Sequence, residues 1–203
     1  HCISSAASDV YKRQVYYHVV WGQKLFLFAP PTPANLAAYR AWTSSMQQER
    51  EWLGDALCDV RRVEIRTGET MLIPAGWIHA VHTVRDSLVV GGNFLADYHV
   101  GMHWRLEELE IATHVPLKFR FPHLVRLAWY VARGWDERLA AHVDVAPCVR
   151  MGIEQLCRRL DAELRAIRQG GRSAESAAAA VPKEVPDPEA LVAQLRRRLA
   201  ERT

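Results

Sequence analysis

The segment GETMLIPAGWIHAVHTV places one histidine where its imidazole could bind a metal ion. A predicted strand ends at Pro74, a tight turn passes through Gly76, and the next strand begins just before His79. An imidazole at that place can point into the mouth of a barrel, and two histidines with one carboxylate form the usual ligand set of non-heme iron oxygenases. The pattern alone favours a structural role, because a single histidine on a strand is more often not a ligand.

Lys24 opens the segment KLFLFA, whose other side chains are apolar on both faces of the predicted strand. An ammonium group inside a small barrel is costly unless it meets an anion, such as the distal carboxylate of 2-oxoglutarate. Tyr17, on the strand predicted to pair with this one, could donate its hydroxyl to the same carboxylate. The alternative, which the position of Lys24 alone favours, is a solvated lysine on an edge strand.

About six short strands are predicted between residues 15 and 96, with a helix over PANLAAYRAWTSS inserted among them. The strands are VYYHVV and KLFLFA as a hairpin around Gly22–Gln23, Val60–Ile65 and Thr70–Ile73 around Thr67–Gly68, and IHAVHTV and SLVVGGNFL around Asp86. This meander predicts a jelly-roll barrel, which is incomplete because a closed jelly roll has about eight strands.

The hydrophobic period changes to 3.6 from about residue 97 and predicts a helical subdomain over 97–169, with helices at 99–113, 121–141 and 149–169. A low-complexity linker and a short basic helix at Glu189–Glu201 are predicted within 170–203. The first fourteen residues, HCISSAASDVYKRQ, are predicted to be a non-native leader. The fold class is therefore α+β overall, an incomplete mainly β jelly roll followed by helices.

Composition is that of an ordinary globular protein, with 49% apolar and 24% charged residues and a net charge of +3. The mild basicity permits an acidic partner such as chromatin, but it gives no evidence for direct binding of nucleic acid. Four cysteines form no CxxC pair, which indicates reduced thiols and no zinc knuckle. No signal peptide and no membrane-spanning apolar run are predicted.

Three ordered segments resemble the JmjC domains of the F-box and PHD-finger branch of histone lysine demethylases. They are YYHVVWGQKLFLFAPPTPANL, GETMLIPAGWIHAVHTVRDSLVVGGNFL and FRFPHLVRLAWYV, in register over roughly residues 15–135. The resemblance implies that His79 is the last ligand of an iron centre and that Lys24 binds 2-oxoglutarate. It also implies that Tyr17 lies beside this co-substrate and, less directly, that Asn93 of the GGNF stretch is near the active site.

The activity implied by the resemblance is that of an iron(II)- and 2-oxoglutarate-dependent dioxygenase that hydroxylates N-methyl-lysine and releases formaldehyde. Its expected partner is the histone H3 tail in chromatin, with lysine 36 as the favoured target, and its expected location is the nucleus. Neither a membrane nor direct nucleic-acid contact is implied.

The family's other two iron ligands come from a His-x-Asp motif that precedes the strand beginning near Val15, and no His-x-Asp precedes Val15 here. This chain alone is therefore expected to be inactive, whereas a full-length parent would be active. One alternative is a catalytically inactive JmjC pseudo-enzyme that serves as a chromatin-binding scaffold. A second is an unrelated cupin or hydroxylase of the same barrel class, which would not be expected to share all three segments.

Overall fold

A computed structural model of the chain describes residues 14–46, 48 and 50–201. Residues 1–13 of the predicted leader lie outside this range. Gln14, the last residue assigned to the leader, is instead the first residue of a strand and is only 1% exposed. Its side-chain Oε1 accepts a hydrogen bond of 3.0 Å from the backbone N–H of Ala96, which ties the start of this strand to the segment that follows the last strand of the sheet.

One antiparallel sheet is formed by four strands, β1 (Gln14–Ala29), β2 (Arg61–Arg66), β3 (Thr70–Ile73) and β4 (Ile78–Phe94). β1 is central, and β4 pairs with it from end to end. On the other edge of β1, β3 pairs with residues 15–18 and β2 pairs with residues 23–28. The α+β class is confirmed, while the four described strands do not establish a closed jelly roll.

Two of the three predicted hairpins are wrong, because the predicted turns lie inside continuous strands. Gly22 adopts φ +103° within β1, where the register with β4 shifts three times between Val19 and Lys24. The glycine therefore forms an irregular, bulged corner instead of a turn. Asp86 likewise lies within β4. The third predicted turn, at Thr67–Gly68, is confirmed, with Gly68 at φ +84°.

Hydroxyl groups from the turn between β2 and β3 and from β4 stabilise this corner. The backbone N–H of Gly22 donates to Thr67 Oγ1 at 3.0 Å, and that of Gln23 donates to Ser87 Oγ at 3.1 Å. These bonds satisfy donors that the irregular ladder would otherwise leave unpaired. Particular side chains of this sequence therefore stabilise the corner.

β1 bends so strongly at the corner that its two halves face each other. The ring centroids of Tyr17 and Phe26 are 5.0 Å apart, although nine residues separate them along the strand. In a straight strand these residues would lie roughly 30 Å apart. The folded-back sheet encloses an apolar core whose buried members are Val15, Val19, Phe26, Phe28, Ile65 and Ile73.

Helix α1 (Pro33–Ser44) confirms the predicted helix and packs on a second small core of the sheet unit. Thr32 caps it, accepting a hydrogen bond of 3.1 Å from the N–H of Asn35. The Asn35 amide bonds to Pro30 and to both backbone groups of Cys58, which ties the helix to both flanking segments. Tyr39 is buried in the core with Ala29, Leu53 and Ile78.

The remaining helices are α2 (Val100–Ala112), α3 (Leu124–Ala140), α4 (Pro147–Gln169), α5 (Arg172–Ala180) and α6 (Pro188–Ala200). The predicted linker is therefore wrong in part, because its alanine-rich stretch has high helix propensity and forms α5. Trp129, Leu160 and Leu195, from α3, α4 and α6, are completely buried. Ion pairs of Arg198 with Asp136 and of Arg196 with Asp161 join α6 to α3 and α4.

The chain divides into two compact units. The sheet unit contains the described residues up to 96 together with 102–116, so it includes most of α2. The helical unit contains 97–101 and the described residues from 117 onwards. In the described part of the chain, no helix combines the length and apolar character needed to cross a membrane.

We expect Gly22→Ala to lower the free energy of unfolding by about 2–5 kcal/mol, because it adds both backbone strain and a clash. A Cβ at this position would lie 2.6 Å from the Cα of Ser87. Gly68→Ala is the matched control, since Gly68 also has positive φ but open space around it, and should cost about 1 kcal/mol. Urea denaturation measures both, and equal losses would contradict the packed corner.

Burial raises the pKa of the Cys157 thiol to about 11. The folded state therefore favours the neutral thiol, and this contribution to stability is present below the ordinary thiol pKa and lost as the pH rises towards 11. At about pH 8, iodoacetamide should modify the exposed Cys58 and Cys148 but not Cys157, because only a thiolate reacts. Mass spectrometry of peptides measures this, and modification of native Cys157 at the same rate would contradict it.

Candidate functional site

The folded-back sheet brings Tyr17 and Lys24 of β1 to the same concave face, although they are an odd number of residues apart. Tyr17 packs against the core that contains Val15 and Val19. Lys24 lies on the same face of β1 as Phe26, which follows it by two residues. Side chains alternate along a regular strand, so seven residues would place these two on opposite faces. The register shifts between them restore the common face.

His79 lies on β4 directly opposite Phe28 and is 7% exposed. Its ring centroid is 5.7 Å from that of Phe28 and 6.2 Å from that of Phe26. Nδ1 is 3.0 Å from the carbonyl oxygen of Trp77. A neutral imidazole that donates from Nδ1 to this oxygen presents its lone pair at Nε2, an arrangement typical of histidines that bind metals.

Lys24 pairs with Thr83 across the β1–β4 ladder. Its ammonium donates a hydrogen bond of 2.6 Å to Thr83 Oγ1. Among the described residues no carboxylate forms an ion pair with it, and the side chain is half-buried. An ammonium and a hydroxyl side by side form a suitable site for one carboxylate group of a ligand.

Phe26 connects the members of this cluster. It is completely buried, lies edge-to-face against Tyr17 at 5.0 Å and contacts the ring of His79. Asn93 is exposed and lies opposite Val15, so the register places it on the face that Val15 shares with Tyr17, but among the described residues no side-chain contact joins it to the other predicted site residues. Its predicted role near the site stays a prediction.

Sequence reasoning did not single out Thr83 and Phe26. A signal for Thr83 was present, because it lies four residues after His79 on one strand and therefore on the same face. Phe26 follows Lys24 by two residues and shares its face for the same reason. What the sequence did not indicate is the cross-strand register that sets Thr83 against Lys24.

The described residues do not form a complete iron site. They contain no group of three or more histidine, cysteine or acidic side chains that could hold a metal ion. One His-x-Asp does occur, at His142–Asp144, but it follows His79 in the chain and lies just after α3 in the helical unit. His142 there is exposed, with Nδ1 2.9 Å from the carbonyl oxygen of Ala140. Among the described residues, His79 is the one that was predicted to bind iron.

A 125-residue segment, 62% of the chain, is 64% identical to a JmjC domain-containing histone demethylation protein 1 from Mycosarcoma maydis. A lysine-specific demethylase 7B from Danio rerio is 44% identical over 62% of the chain. A lysine-specific demethylase 2A from Xenopus tropicalis is 42% identical over 64% of the chain. No protein-family model matches the chain.

The chain spans a small part of these relatives, 19%, 22% and 11% of their respective lengths. Over the matched segment it is homologous to proteins that are named as JmjC histone demethylases or lysine-specific demethylases.

Proposed function

We propose that this chain, most of which is homologous to JmjC-type histone demethylases, is part of an iron(II)- and 2-oxoglutarate-dependent histone lysine demethylase. The observation that carries the proposal is the gathering of Tyr17, Lys24 and His79 on one concave face of a bent sheet. A cation and a phenol can bind a carboxylate of the co-substrate, and an imidazole is one of the three ligands that such a centre needs for its metal.

The residues present fit the co-substrate. Lys24 and Thr83 would hold the distal carboxylate of 2-oxoglutarate, because the ammonium and the hydroxyl already lie 2.6 Å apart. Tyr17 would place its phenol beside the same molecule, and Asn93 is a weaker candidate for contact. Bound 2-oxoglutarate would supply the electrons for oxygen activation as it loses carbon dioxide.

The residues present do not fit iron by themselves, since His79 is one ligand where the facial set needs two histidines and a carboxylate. The full protein would supply the others from a His-x-Asp segment that precedes β1. This chain alone is therefore expected to be inactive. Its own contribution would be to orient His79 through the Trp77 carbonyl and to exclude water with the rings of Phe26 and Phe28.

The proposed substrate is a mono- or dimethylated lysine of the histone H3 tail, with lysine 36 favoured, and the overall reaction releases the methyl group as formaldehyde. The support is that the relatives are named for histone demethylation and for lysine-specific demethylation. The same names support a chromatin partner and a nuclear location.

The alternative is a JmjC pseudo-enzyme that binds chromatin as a scaffold. One observation favours it, namely that the described residues hold a single predicted iron ligand. A scaffold would keep the folded-back sheet and would have no need for the ammonium–hydroxyl pair.

We expect Lys24→Met to weaken binding of 2-oxoglutarate by about tenfold, because it removes a charge-assisted hydrogen bond. Arg62→Met is the matched control, since it removes the same charge from β2 opposite Leu27, on the other face of the sheet, and should leave binding unchanged. Isothermal titration calorimetry of the chain measures both. Equal affinity of Lys24→Met and the unchanged chain would exclude Lys24 from the co-substrate site.

The native transcript upstream of Val15 tests the enzyme proposal. We expect a His-x-Asp followed by Gly-Gly-Thr to lead into Val15, and we expect the protein encoded by that transcript to demethylate methylated H3 peptides when iron(II) and 2-oxoglutarate are added. Mass spectrometry detects the loss of methyl groups. If HCISSAASDVYKRQ proves native and no upstream segment supplies the two ligands, the scaffold alternative replaces the enzyme.

A further inference from the structure

A cavity of about 650 Å³ lies in the sheet unit between α1 and the short 3₁₀ helix Leu53–Ala56. Its volume is within the range of ligand sites, roughly 300–1,000 Å³. None of the residues proposed for the co-substrate or the metal lines it. The cavity is therefore a second candidate site, with a chemistry of its own.

Two tryptophans form the aromatic part of its wall. Trp42, on α1, donates from Nε1 to the carbonyl oxygen of Glu51 at 2.9 Å and packs on the buried Tyr39 with ring centroids 6.1 Å apart. These two contacts fix the orientation of its indole. The part of the wall that Trp42 forms is therefore held in place.

Trp52 is the second aromatic side chain and remains 46% exposed. Its indole lies over Gly54, where an added Cβ would be 2.7 Å from the ring carbon Cε2. The absence of a side chain at Gly54 lets the ring lie against the backbone. Its exposed ring surface lies beside the cavity and is accessible to a ligand there.

The charges on the wall favour a cationic ligand. Glu51 and Asp55 are exposed, and among the described residues neither carboxylate forms an ion pair or a side-chain hydrogen bond. Arg50 is the one cation among the lining residues that the structure describes. Two carboxylates against one guanidinium leave the wall negative, which disfavours an anion and attracts a cation.

We propose that this cavity binds the methylated ammonium group of a lysine side chain presented by a basic protein segment. A methylated ammonium combines a positive charge with an apolar surface, and the faces of Trp42 and Trp52 attract both. The carboxylates of Glu51 and Asp55 complement the charge. This binding needs neither iron nor 2-oxoglutarate, so it stands or falls separately from the proposed catalysis.

The test compares two probes that differ only in charge. They are N-acetyl-trimethyl-lysine methylamide and its neutral analogue, in which a carbon atom replaces the ammonium nitrogen. Titrated into the 203-residue chain, the cation should bind at least about threefold more tightly than the analogue, since cation–π attraction requires the charge. Two-dimensional NMR that follows the indole N–H of Trp52 measures both affinities.

Variants that remove charge at neighbouring positions should change the affinity for the cation in opposite directions. Glu51→Gln and Asp55→Asn should each weaken binding of the cation by about two- to fivefold, whereas Arg50→Gln should tighten it by about twofold. All three side chains are exposed, so these changes should leave the fold intact. Two variants that weaken binding and one that tightens it would indicate electrostatic attraction, because a variant that damaged the site would only weaken binding.

Aromatic variants complete the test. Trp52→Leu should weaken binding of the cation by at least about threefold, while Trp21→Leu, which replaces an equally exposed tryptophan on β1, should not change it. Equal affinity for the two probes would overturn the proposal. It would also be overturned if the three charge variants changed the affinity for the cation in the same direction, or if millimolar cation left the NMR signal of the Trp52 indole N–H unshifted.

Discussion

The sharp bend in the paired strands β1 and β4 is the constraint on which the sheet unit depends. A strand of sixteen residues would extend far beyond any compact core if it were straight. The irregular register between Val19 and Lys24, with Gly22 at positive φ, folds it back on itself. Hydroxyls of Thr67 and Ser87 then satisfy the backbone donors of the corner. The core around Phe26 exists because of this geometry.

The same bend assembles the candidate site. It reverses the alternation of side chains, so that Tyr17 and Lys24 share a face, and it brings Tyr17 within 5.0 Å of Phe26. β4 follows β1 and carries His79 and Thr83 to that face. The ammonium of Lys24 meets a hydroxyl and no carboxylate among the described residues, which leaves its charge available for an anionic ligand. Stability and proposed chemistry therefore depend on one backbone feature.

The sheet unit presents two chemically different surfaces. The concave face offers a cation and an imidazole, which suit a carboxylate ligand and a metal ion. The cavity beside α1 offers indole rings and carboxylates, which suit a methylated ammonium. The helical unit is built differently, from a core of buried tryptophan and leucine side chains joined by ion pairs of α6.

The sequence by itself determined most of the strands and helices and predicted a set of candidate site residues. Periods of two and 3.6 located the strands and helices, and the three ordered segments pointed to His79, Lys24 and Tyr17. It did not determine that VYYHVV and KLFLFA are one strand, since a glycine that permits a turn permits a bulged corner equally well. It also missed α5, because alanine-rich segments of low complexity suit both helices and linkers. The pairing of Lys24 with Thr83 and the contact of Tyr17 with Phe26 arise from cross-strand register and bending, and these are set by packing between residues far apart in the chain.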